Sequence, residues 1–215
     1  MTPEYHKPYN EDGVWGDFTY GAPGVSRGLL NAIQITQSEV KFCENGTPKT
    51  LVIGAGNGWE IAQLKVSGWD VFGIDLYVPD IPFVKECSVQ GDASNMPFKD
   101  KEFGLVLCCE TFEHIPEDVC WEILAEIKRV SDSFYFTIAT IDDAPVYSTH
   151  ITIHPGWWWM QKFEENGMNV KHAESGAKMA LIYAQNRIAR MRYEEGVTLF
   201  GSCDFEEQEV PRLQE

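Results

Sequence analysis

The sequence predicts an α/β fold: a doubly wound, mostly parallel sheet with helices on both faces and a closing antiparallel strand. Three observations predict it. Apolar, β-prone runs alternate with helical patterns between Thr50 and Gly167. The first run, Thr50 to Ile53, ends in glycines at alternate positions, Gly54, Gly56 and Gly58. A second run, Asp70 to Ile74, ends in the carboxylate of Asp75. In an open sheet of this kind the ligand lies in the crevice at the carboxyl ends of the strands.

The elements follow in order. Residues 1–23 are rich in Pro, Gly, Tyr and Trp without periodicity and are expected to form an aromatic N-terminal arm. Leu29, Leu30, Ile33 and Val40 suit a helix beside the sheet, and Asn45-Gly46-Thr47-Pro48 breaks the chain after it. Strand 50–53 leads into a helix over 59–67 that Gly68 stops, then come strand 70–74 and a short strand near 86–89. Strand 104–109 precedes a helix from Pro116 to Val130. Pro suits its first turn, and Glu117 and Asp118 complement its dipole. Ser133 to Thr140 reads as the fifth strand, and Trp157 to Asn166 as a helix closed by Gly167. Asn169–Ser175 and Lys178–Gln185 are expected to pair as closing antiparallel strands. The domain so defined is 24–185, with 186–215 as a C-terminal extension ending in an acidic tail.

The chain has 215 residues, enough for one domain with a substantial core, and its 44% hydrophobic and 23% charged composition is that of a globular protein. No apolar run approaches the roughly 20 residues of a membrane span, and the first residues lack the basic start and apolar stretch of a signal peptide. Six cysteines without C-x-x-C pairs favour buried thiols in a reducing, cytoplasmic setting over disulfides or a zinc site. The net charge of −16, from 17 basic and 33 acidic side chains, repels phosphate backbones and disfavours nucleic-acid binding. The charge leaves room for a local basic patch: Lys128-Arg129 and Arg187, Arg190 and Arg192 are the basic clusters, and a solvated helix face explains them as well. The oligomeric state is not legible.

The glycine spacing narrows the ligand. A dinucleotide fingerprint would place its third glycine at Trp59, but it falls at Gly58, and no P-loop lysine follows. The segment VIGAGNG resembles the first motif of the class I S-adenosylmethionine (SAM)-dependent methyltransferases, a Rossmann-like fold. Two later acids fit the same pattern: Asp75, about twenty residues on, where an acid reaches a ribose hydroxyl, and Asp92 in Gly91-Asp92-Ala93-Ser94-Asn95-Met96-Pro97-Phe98. The resemblance covers roughly residues 50 to 185. It implies that Gly54, Ala55, Gly56, Asn57 and Gly58 surround the methionine part of SAM. It implies further that Asp75 and Leu76 meet the ribose, Asp92 and Ala93 the adenine, and that Glu110 borders the cofactor.

The acceptor side is less specific. After the fourth strand stands Glu110-Thr111-Phe112-Glu113-His114. This E-x-x-E-H pattern is similar to that of ubiquinone-pathway O-methyltransferases and small-RNA 3′-terminal 2′-O-methyltransferases, where such residues bind a metal that grips vicinal hydroxyls. The resemblance implies a divalent cation, Mn or Mg, on Glu110, Glu113, His114 and His154. The alternative is that Glu113 merely caps the next helix and His114 packs near the cofactor. Without a metal, His150, His154 or His114 would supply the general base, since imidazole titrates near neutral pH. Trp157-Trp158-Trp159 cannot all face the core, because neighbours on a helix are about 100° apart. One should line a pocket or meet the arm, where Trp15, Phe18 and Tyr20 suggest an aromatic lid. The expected activity is methyl transfer to an oxygen of a small hydroxylated molecule, sugar or glycan intermediate. An RNA 2′-O-methyltransferase and a non-catalytic SAM-binding partner subunit are the alternatives.

Overall fold

The computed structural model describes residues 49–56, 58–78, 80–140, 150–181 and 191–202. The expected N-terminal arm, the helix over 25–42, Asn57 and the acidic end from Asp204 lie outside them.

Seven strands form one sheet in the order β3-β2-β1-β4-β5-β7-β6. They are β1 (Thr50–Ile53), β2 (Val71–Asp75), β3 (Ser88–Gln90), β4 (Leu105–Cys109), β5 (Ser133–Ala139), β6 (Asn169–Leu181) and β7 (Met191–Ser202). The first five pair in parallel, with Thr50 opposite both Val71 and Leu105, and Val106 opposite Phe134. β7 runs antiparallel between β5 and β6. Among the described residues the helices are α1 (Trp59–Val66), α2 (Pro82–Cys87), α3 (Glu117–Val130) and α4 (Gly156–Glu165), and Phe112–His114 forms one 3₁₀ turn.

β1, β4 and β5 are buried on both faces, which explains their nearly continuous apolar sequence. Leu51, Ile53, Val106, Cys108, Phe134 and Phe136 point to one side, where α3 and α4 cover them. Val52, Val71, Leu105, Leu107 and Tyr135 point to the other, against Ile61 and Leu64 of α1. α3 shows the periodicity that this requires: Cys120, Ile123, Leu124, Ile127 and Val130 are its buried residues. On α4 the buried positions are Gly156, Trp159 and Phe163, and Phe163 meets Phe136 edge to face at 4.9 Å.

Two expectations need correction. Asn169–Ser175 and Lys178–Gln185 do not pair with each other. They fall largely in one long strand, β6, whose partner β7 comes from 191–202, beyond the boundary set at residue 185. Gly176 pairs with Gly196 inside the ladder and makes no turn there. The reason is tertiary: β7 bonds to β5 on one side and β6 on the other, and neither partner is visible from its own mixed sequence. α2 has no counterpart among the expected elements. Pro82 starts it and Val84 is its one buried residue, so it carries almost no periodic signal.

Candidate active site: a glycine turn and a buried acid at one sheet edge

The carboxyl ends of β1, β2 and β4 converge. Gly54 leaves β1 with φ +71°, and a Cβ there would stand 2.4 Å from Oγ1 of Thr111, just beyond β4. Only glycine allows the two strand ends to approach so closely. Thr111 is itself fixed by donating its hydroxyl to the carbonyl of Cys109 at 2.9 Å. Gly56 (φ +49°) differs: among the described residues a Cβ would meet nothing nearer than the Gly54 carbonyl at 3.9 Å. Its bareness opens space above the turn instead of relieving a clash inside the protein.

Asp75 ties this turn to β2. Its Oδ2 accepts the N–H of Gly56 at 2.9 Å and its Oδ1 accepts the N–H of Tyr77 at 3.0 Å, while its residue is 6% exposed. Leu76 follows it, half-buried. Asp92 shapes the turn after β3, where its Oδ1 accepts both the N–H (2.9 Å) and the hydroxyl (2.8 Å) of Ser94. Gly91, ahead of it, donates its N–H to the carbonyl of Asp75 at 2.9 Å, so the two acidic turns are joined through the backbone. Ala93 packs against the core from this turn. Glu60, in the first turn of α1, has its carboxyl pushed above the usual range, chiefly by burial.

After β4 the chain turns sharply. Glu110 sits at φ +49°, a left-handed conformation that non-glycine residues rarely adopt and that clusters at functional sites. Its N–H donates to the carbonyl of Thr137 at 2.8 Å. Glu113 is fully buried. Its Oε1 accepts the N–H of Ala139 at 3.1 Å, and among the described residues Oε2 meets no hydrogen-bond donor. Burial first, and the nearby Glu110 carboxylate second, hold the Glu113 carboxyl well above the usual range. The backbone carbonyl of Glu113 accepts the N–H groups of Ile151 (2.7 Å) and Thr152 (3.1 Å), and the Thr152 hydroxyl donates to the carbonyl of Ile115 at 2.6 Å. These bonds bring His150 to His114, with ring centroids 4.7 Å apart.

One ligand atom from each of Glu113, His114 and His150 lies within 4.8 Å of the others. The sequence expectation of a ligand cluster therefore has a geometric counterpart, but with His150 in the place given to His154. His154 goes elsewhere. Its Nε2 lies 3.2 Å from Oε2 of Glu117, and its ring stacks on Trp158 at 3.5 Å. Two histidines four residues apart on an irregular segment cannot be ranked without the bonds that fasten 151 and 152. Glu110 stands beside this group through its charge on Glu113 and is not one of its three members. Nor is Glu113 simply a cap for α3, since Pro116 precedes that helix and no side chain caps it.

The tryptophans divide as the helix geometry demands: Trp159 is buried, Trp158 half-buried and Trp157 63% exposed. The lid expected from Trp15, Phe18 and Tyr20 lies outside the described residues. Cys108 and Cys120 are buried free thiols, with burial pushing both upward from the ordinary thiol range. Among the described residues no helix is long and apolar enough to cross a membrane.

Comparison with known proteins agrees with this architecture. Residues 51–133 match a family model described as a methyltransferase domain. A protein of Bacillus halodurans C-125 assigned as a methyltransferase is similar in structure, with TM-score 0.62 and 16% identity over 83% of this chain and 100% of the other. A SAM-dependent methyltransferase from Archaeoglobus fulgidus is similar at TM-score 0.57 and 17% identity, covering 86% of this chain and 96% of its own. The Burkholderia thailandensis 1,6-didemethyltoxoflavin-N1-methyltransferase, with its substrate and S-adenosylhomocysteine bound, gives 0.58 and 16%, covering 87% and 80%. At such identities these likenesses speak for the fold. Among curated proteins, none matches the sequence. Residues 51–133 are thus similar to a methyltransferase domain, and the sheet shares the fold of solved SAM-dependent methyltransferases.

Proposed function

We propose that the protein methylates a hydroxyl oxygen of a small hydroxylated acceptor, such as a sugar or glycan intermediate, with help from a divalent cation. S-Adenosylmethionine supplies the methyl group as an electrophilic sulfonium. In this reading the bare backbone of Gly54 to Gly58 lies along the methionine part, Asp75 accepts the ribose hydroxyls, and Asp92 accepts the adenine amine. Asp75 suits its role because its oxygens are already held by Gly56 and Tyr77, so its carboxylate is oriented before the ligand arrives.

The observation that carries the acceptor proposal is the buried Glu113 carboxylate: its Oε2 meets no hydrogen-bond donor among the described residues, and one of its oxygens lies within 4.8 Å of ring nitrogens of His114 and His150. A buried carboxylate oxygen without a donor is costly unless it is protonated or meets a cation. One carboxylate and two imidazoles form a donor set that suits Mn, Fe, Co or Zn. Glu113, His114 and His150 would hold the ion, with the Glu110 carboxylate beside them. Bound there, a divalent cation would lower the pKa of an acceptor hydroxyl. The cluster follows closely on Thr111, which lies against Gly54 of the β1 turn, and this supports an acceptor oxygen held beside the cofactor. Without the ion, the His150 or His114 imidazole would instead take the departing proton.

The test is methyl incorporation into a panel of sugars, phenols and short RNAs, with Mn²⁺ and with EDTA. Mn²⁺-stimulated transfer to a hydroxylated small molecule supports the proposal. Transfer confined to RNA would favour a 2′-O-methyltransferase, against the charge of −16. Cofactor binding with no turnover on any acceptor would favour a binding subunit.

A further inference from the structure

Arg129, near the end of α3, reads in sequence as part of a solvated basic face, but its guanidinium is committed to one task. Nε and Nη2 donate to the two oxygens of Glu126, each at 2.7 Å. Nη1 donates to the carbonyl of Phe98 at 2.7 Å and to Oδ1 of Asp100 at 2.9 Å, and Nη2 donates to the carbonyl of Met96 at 3.0 Å. Glu126 closes the device: its Oε2 accepts the N–H of Met96 at 2.7 Å. The backbone of Met96 is thus gripped at both its N–H and its C=O by one ion pair, while its side chain is buried in the core.

Met96 follows closely on Asp92. The intervening turn is closed by Ser94 on the Asp92 carboxylate and by the N–H of Asn95 on the Asp92 carbonyl at 3.1 Å. On its other side the turn hangs from β3, which is only three residues long and lies at the edge of the sheet. Such a short ladder does little to hold the Asp92 turn in place. α3, by contrast, is anchored by Ile123, Leu124, Ile127 and Val130 whether or not Arg129 is present. A half-buried ion pair of neighbours on one helix adds little stability by itself. A forked guanidinium satisfying two carbonyls and two carboxylates instead sets a position, a geometry that lysine cannot copy.

We propose that Arg129, through Glu126, is a positioning residue that fixes the Asp92–Met96 turn and thereby sets affinity for the adenine end of the cofactor. This rests on the proposed role of Asp92. It predicts that the clamp governs cofactor binding and the recognition of the exocyclic amine, with little effect on the methyl-transfer step.

The experiment is calorimetric titration of the full chain with S-adenosylhomocysteine and with S-inosylhomocysteine, which has a carbonyl where adenine has its amine. It uses the wild type, Arg129→Met, Arg129→Lys and Glu126→Gln, with folding checked by circular dichroism. The wild type should prefer the adenine form. Arg129→Met should lose about tenfold or more in affinity for it, equivalent to about 1.4 kcal/mol, and the preference should collapse towards one. Arg129→Lys should recover part of both, and the kcat of the variants at saturating cofactor should stay within about twofold, with the change in KM. A folded Arg129→Met that keeps wild-type affinity and preference overturns the proposal, as does a wild type with no preference. Should Arg129→Met fail to fold, unchanged affinity and preference in both Arg129→Lys and Glu126→Gln overturn it equally. A wild type that binds neither ligand overturns the cofactor reading itself, and the clamp proposal with it.

Discussion

Glu113→Gln separates two consequences of one buried carboxyl. Gln keeps an oxygen for the Ala139 N–H and nearly the same volume, so the packing around it should survive. What it removes is a group whose folded-state pKa lies well above its ordinary value of 4.5, because of burial and the Glu110 charge. The folded wild type then binds a proton that the unfolded chain has already released. Its contribution is present in full below about pH 4.5 and is lost as pH rises through the folded value. Over that window metal-free stability should fall by up to about 1.4 kcal/mol per pH unit. Glu60, also raised by burial, adds a slope of the same sign and is subtracted with Glu60→Gln. Glu102 and Glu126 act oppositely, since their lysine and arginine partners lower them: their contribution is lost only as pH falls through values below 4.5. Urea unfolding between about pH 5 and pH 8 without metal therefore separates the raised carboxyls from the lowered ones. Glu113→Gln should flatten the slope, match or exceed wild-type stability at the upper end, and abolish Mn²⁺ binding while leaving S-adenosylhomocysteine affinity unchanged. An unaltered slope together with retained Mn²⁺ binding would refute the whole account of this carboxyl.

Other outcomes rest on the geometry of the turns, the histidines and the core. Gly54→Ala should cost roughly 2 kcal/mol or more in urea melts, since its Cβ would collide with Thr111 from a left-handed backbone. Gly56→Ala, with strain but no internal clash, should cost about 1–2 kcal/mol and instead lose cofactor binding measured by calorimetry. His150→Ala should weaken Mn²⁺ binding by about tenfold or more, whereas His154→Ala, which loses only the Glu117 and Trp158 contacts, should leave it within about twofold. Phe163→Ala should destabilise by about 3–5 kcal/mol, because that ring is fully buried against Phe112, Phe134 and Phe136.

The sequence by itself determined the parallel half of the sheet and the glycine turn that follows β1. Thr50–Ile53 and Leu105–Cys109 are legible because strands buried on both faces must be apolar throughout, Val71–Asp75 because it is apolar up to its closing acid, and the turn after β1 because glycine permits its left-handed backbone. Asp75 was legible for the same local reason: it ends its own strand. Tertiary structure alone decided that His150 and not His154 joins Glu113, that β7 comes from 191–202, and that Arg129 grips a backbone some thirty residues upstream. Each of these depends on hydrogen bonds between segments far apart in the chain, and such bonds leave no period or spacing in either segment. A charged or imidazole side chain looks the same in sequence whether it faces water or a partner; only the folded backbone chooses between them.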